Sequence, residues 1–275
     1  MNNAKKQVIT FIILLVVLST VVYTLYFNGL SHKNLIWLMW CPGIAAIITR
    51  LFYQKNLKNF GWGWGKTRYQ AAAYFLPLLL GLIVYGIVWG AGLGGVSIEN
   101  FTNFVAHFLS LPNSLSFIPS FLIIAVAGFI GSAISAFGEE IGWRGLLVPE
   151  LAKLTSFTKV SIISGVIWAL WHYPGILFLG YSSGLPSWFA LLCFTVMVIS
   201  SSFVYTWLRL KSGSVWTGVI LHSTHNLFIQ VLFDKVTVDT GTTFYFTTEF
   251  GVGLAIIYSV AAYICWKKRN ELPQN

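Results

Sequence analysis

Eight times along this chain an apolar run approaches the roughly 20 residues that an α-helix needs to cross a bilayer core about 30 Å thick. The runs lie near 7–27, 34–53, 69–90, 117–139, 160–180, 186–208, 214–233 and 250–266. Hydrocarbon offers no partner to a backbone N–H or C=O, so segments of this kind pair their own backbone as helices. Composition closes off a soluble alternative: charged residues make up 9% of the chain, against about 25% in ordinary soluble domains. The sequence therefore predicts an all-α, polytopic transmembrane bundle of about eight spans, with residues 1–275 as a single membrane-embedded domain.

The excess of cations supports the same reading. The net charge is +9, but Lys and Arg are scattered through short loops and form no aromatic-interleaved basic region, which argues against a nucleic-acid partner. With the first run's leading Lys5 and Lys6 on the inner side, nearly every basic residue falls on that side, and only Lys33 and Lys235 fall on the other. That asymmetry predicts a multi-pass protein of the cell membrane with both termini cytoplasmic. No small-residue cleavage site follows the first run, which reads as an uncleaved span. The loop GWGWGK at 61–66 suits the headgroup region, and 101–111, with His107, reads as an interfacial helix. Cys41, Cys193 and Cys265 lack metal-ligand spacing and read as packing residues; no cofactor is expected.

Ionisable groups inside a span cost about 2.5–3.5 kcal/mol each and call for a partner, water or a function. Three spans carry them: Glu139, Glu140 and Arg144 in FGEEIGWRG, His172 in WALWHYPG, and His222, His225 and Asn226 in ILHSTHNL. The fourth span is expected to stay helical past its charges towards Val148, ahead of the breaker Pro149. On a helix Glu140 and Arg144 share a face while Glu139 points about 100° away. Arg144 can thus neutralise Glu140 and leave Glu139 to face a cavity. His222 and Asn226 also share a face, and spacing alone does not choose between His222 and His225. At about 1.5 Å per residue the three groups fall in one layer of the membrane, which points to a shared, water-containing cavity. A carboxylate and an imidazole converging on water make a hydrolytic centre. Glu139 would be the base, His172 would orient the water and protonate the leaving amine, and His222 with Asn226 would donate to the oxyanion.

EEIGWR, then a histidine in the next span, then HSTHN, resembles the CAAX protease and bacteriocin-processing family, often called CPBP or Abi, of intramembrane glutamate-dependent endopeptidases. The motifs span roughly 115–235. The family's EExxxR is met by Glu139, Glu140 and Arg144, and its HxxxN by His222 and Asn226, which selects His222 over His225. Its FxxxH is met with Trp168 in place of the phenylalanine, ahead of His172. The resemblance implies a glutamate-activated water assisted by His172, an oxyanion site at His222 and Asn226, support from Glu140 and Arg144, and a cavity open towards the cytoplasmic side. It also implies a hydrophobic or lipidated peptide or protein substrate: relatives act on prenylated CAAX proteins, or in peptide maturation and bacteriocin self-immunity. Two other readings compete. One is a zinc peptidase using Glu139, His172 and His222 or His225, although HExxH is absent. The other is a non-catalytic immunity or partner-binding membrane protein, in which the polar layer only fixes helix packing.

Overall fold

The computed structural model describes residues 2–29 and 36–273, so Lys33 lies outside the described residues. Nine helices carry the fold among those residues: α1 (Asn3–Phe27), α2 (Ile36–Gln54), α3 (Thr67–Gly90), α4 (Ile98–Phe108), α5 (Phe117–Ala152), α6 (Phe157–Phe178), α7 (Ser187–Ser212), α8 (216–236) and α9 (Val252–Lys267). Six of them, α1, α2, α3, α5, α6 and α7, are long and apolar enough to cross a membrane. The last two expected spans are helical as well, α9 over 16 residues. The chain is a helical membrane bundle.

The amphipathic α4 matches the expected interfacial segment, burying Phe101, Thr102, Val105 and Ala106 and leaving His107 exposed. A short antiparallel pairing of β1 (Gly95–Val96) with β2 (Thr237–Val238), not foreseen from the sequence, ties the connection before α4 to the one after α8.

Helix pairs pack as α1 on α2, α2 on α5, α3 on α8, α6 on α7 and α7 on α9. The α2–α5 contact is backbone on backbone. A Cβ on Gly43 would sit 2.5 Å from the Gly138 carbonyl oxygen, and one on Gly142 would sit 2.5 Å from Pro42 Cβ. Small residues allow this approach in a membrane, where no hydrophobic effect drives helices together. The same turns of α5 carry Glu139 and Glu140.

Two π-helical stretches, Ile124–Gly128 and Ile141–Leu147, interrupt α5, and a third, Asn226–Phe233, lies in α8. The second explains why Pro149 does not end the helix, which runs on to Ala152. The widened turn has already disturbed the regular ladder, and the Arg144 carbonyl, which proline cannot serve, accepts a hydrogen bond from Arg209 Nε at 2.7 Å. Below this point the end of the bundle that bears most of the basic loops is filled by buried Phe60, Arg209 and the Arg50–Glu150 ion pair at 3.2 Å.

Candidate active site

α5 presents Glu139, Glu140 and Arg144, all at 1% exposure or less. Glu140 faces away from the cavity described below. Its Oε1 accepts from Arg144 Nη1 at 2.8 Å and from His222 Nδ1 at 3.0 Å. The Arg144 guanidinium lies between two rings, 4.3 Å from the Trp168 centroid and 3.9 Å from that of Tyr205, a desolvated place where such contacts reach about 2 kcal/mol. Glu140 Oε2 has no hydrogen-bond partner among the described residues, and α8 approaches it through Gly218, where a Cβ would stand 2.5 Å away.

Glu139 points elsewhere. Its Oε2 accepts from two indoles, Trp143 Nε1 at 3.1 Å and Trp168 Nε1 at 2.9 Å. Its Oε1 has no protein donor among the described residues. The side chain borders a cavity of about 580 Å³, which is also lined by His172, His222, His225 and Asn226. The helical-face argument from sequence thus matches the geometry: Glu140 is paired with Arg144, and Glu139 faces open space.

His172 Nδ1 lies 2.9 Å from the Trp168 carbonyl oxygen. A carbonyl only accepts, so Nδ1 carries the proton and Nε2 is the ring atom left for the cavity. The ring is flanked by Phe194 at 5.0 Å and by Tyr181, nearly parallel at 6.2 Å. For His222 the Glu140 carboxylate fixes the same tautomer, and Nε2 has no hydrogen-bond partner among the described residues. Asn226 opens the π-helical stretch of α8. Its Oδ1 meets Gln230 Nε2 at 3.5 Å, which leaves the Nδ2 hydrogens without a partner among the described residues.

The structure adds a second polar group on the same cavity wall. Glu249, in the connection between β2 and α9, is 6% exposed. It accepts hydrogen bonds from the Tyr181 hydroxyl and, at 3.1 Å, from Gln230 Nε2. His225 belongs to this group: its Nδ1 is 2.9 Å from the Tyr258 hydroxyl and its Nε2 is 3.7 Å from Glu249 Oε2. Sequence reasoning missed Glu249, Gln230, Tyr181 and Tyr258. The only signal was an acidic residue just ahead of the last apolar run, and it carries no motif. It also treated Trp168 as a plain aromatic, since a motif cannot show where an indole N–H points.

The cavity's position bears on orientation. Its lining runs from Glu139, Trp168 and His222 at mid-depth to Tyr23, Phe108, Gly180 and Glu249, at the end of the bundle away from the loops at 55–68, 153–159 and 209–211. The basic end itself is packed with Phe60, Arg209 and Arg50. Among the described residues, no three His, Cys, Asp or Glu side chains converge as a metal-ligand set.

A family model described as type II CAAX prenyl endopeptidase Rce1-like matches residues 118–228. Over this segment the chain is similar to that family. CAAX prenyl protease 2 of Methanococcus maripaludis (strain S2) is 30% identical over 141 residues, a stretch that is 48% of this chain and 48% of the relative. The chain thus matches about half the length of that relative. The matched segment holds Glu139, Glu140, Arg144, His172, His222, His225 and Asn226, and stops before Gln230, Glu249 and Tyr258.

Proposed function

We propose that this chain is an intramembrane endopeptidase that acts as a single membrane-embedded domain and cleaves a hydrophobic or lipidated peptide or protein without a metal. The observation that carries this reading is that one cavity brings together Glu139, His172, His222 and Asn226 from three helices. The similarity of residues 118–228 to the CAAX prenyl endopeptidase family supports it. In this reading Glu139 Oε1 takes a proton from a water held with His172, and the water oxygen attacks the peptide carbonyl. The oxyanion that forms meets the Asn226 amide and His222 Nε2. Because His222 Nδ1–H is committed to Glu140, His222 donates from Nε2 only as an imidazolium, which the Glu140 carboxylate balances. As the C–N bond breaks, the proton held by Glu139 passes to His172 Nε2 and from there to the leaving amine. Arg144 pairs with Glu140 at 2.8 Å and holds it in place beside His222.

The basic loops support a cell-membrane protein with both termini cytoplasmic, and the mouth of the cavity then faces the opposite leaflet. This orientation suits a peptide met outside the cytoplasm, as in peptide maturation or bacteriocin self-immunity.

The test is cleavage by the purified protein of an internally quenched peptide library that includes farnesylated CAAX-terminated members and unmodified hydrophobic ones. Glu139→Ala and His172→Ala are each expected to lower turnover by about 10²–10⁴ while the folded helix content stays unchanged. A zinc chelator is expected to leave the wild type active. Activity lost to the chelator and restored by zinc would establish a metallopeptidase instead. Full activity in both folded variants would leave the polar layer with a binding role.

A further inference from the structure

We infer that Trp168 is a positioning residue that selects, through its indole N–H, the single oxygen of Glu139 that meets the water. The inference rests on the reading of Glu139 as the base. Trp168 touches each of the groups that reading uses on this side of the cavity. Its Nε1 donates to Glu139 Oε2 at 2.9 Å, its ring carries the Arg144 guanidinium at 4.3 Å, and its carbonyl holds His172 Nδ1 at 2.9 Å. Its ring also meets that of His222 edge-on, with centroids 5.5 Å apart.

The indole hydrogen bond has a direct chemical consequence. With Trp143 also donating to Oε2 at 3.1 Å, two donors converge on one oxygen, and the carboxylate cannot rotate without losing both. Oε1 is left as the basic atom, held in one direction. Charge-assisted hydrogen bonds of this kind are about twice as strong as neutral ones, and a buried carboxylate gains most from them because no water competes. A phenylalanine at this position would keep the ring under Arg144 and the carbonyl that holds His172, and would lose only the N–H. The residue that departs from the expected FxxxH pattern therefore adds a contact to the base that the pattern residue cannot make.

The discriminating variant is Trp168→Phe, studied in detergent with an internally quenched farnesylated peptide and, separately, by infrared spectroscopy. A roughly tenfold lower kcat at nearly unchanged KM is expected. Difference spectra against Glu139→Gln isolate the Glu139 carboxylate band, which is expected to move between wild type and Trp168→Phe at equal thermal midpoint. A carboxylate band that stays in place, or an unchanged kcat, would overturn the inference. Undiminished cleavage by Glu139→Gln would instead overturn the assignment of the base and leave the infrared readout of the hydrogen bond standing.

Discussion

Arg144 shows how one side chain's worth depends on what it leaves behind. Its guanidinium pairs with Glu140 at 2.8 Å while stacked between Trp168 and Tyr205, all in a dry layer. Exchange to methionine fills the same volume but strands a buried carboxylate beside His222. Breaking a buried pair on one side costs about 3–5 kcal/mol, whereas replacing both partners by apolar groups is often near neutral. Thermal unfolding in a fixed detergent is accordingly expected to show a large drop for Arg144→Met and recovery of most of it in Arg144→Met combined with Glu140→Leu. Equal losses in the two variants would mean that ring stacking, not charge balance, dominates. The EExxxR spacing makes this pair legible in the sequence alone, because residues four apart on a helix must meet. The identity of the rings around it is not legible there, because Tyr205 comes from a different helix.

At the scale of elements, the connection from β2 to α9 does more than join two helices. It brings Glu249 onto the cavity wall, where it holds Tyr181 and Gln230, and through them the neighbourhoods of His172 and Asn226. Glu249→Gln keeps an acceptor for both donors and removes the charge that faces His225 Nε2. A fall of roughly tenfold in kcat/KM is expected for this variant, in line with the loss of one charged hydrogen-bond partner, with the thermal midpoint shifted by a few degrees at most. An unchanged rate would reduce the connection to scaffolding. The π-helical turns belong to the same scale. Of the three, one follows directly on Glu140 and another begins at Asn226, and such turns gather at functional sites because they redirect side chains without ending a helix. Nothing in the sequence marks them, since the hydrophobic pattern of a π turn differs from that of an α turn by only one residue.

The whole molecule sets the basic loops at one end of the bundle and the cavity's reach at the other. In cells producing a variant with Cys41, Cys193 and Cys265 replaced, the further substitution Gly180→Cys is expected to give a thiol that reacts with an impermeant maleimide from outside. The thiol of Asn270→Cys is expected to react only after permeabilisation. The reverse pattern would turn the bundle over and give the cavity a cytoplasmic mouth. By itself the sequence determined what depends on local chemistry and period: membrane-length apolar helices, the gathering of most Lys and Arg at one end, the Glu140–Arg144 pairing, and the different directions in which the adjacent glutamates point. Only the tertiary structure decided which donors converge on Glu139, how His225 differs from His222, and which face the cavity reaches. Those features arise where helices far apart in sequence meet, as at the close α2–α5 contact across Gly43, Gly138 and Gly142, where an added Cβ would come within 2.7 Å of the facing helix.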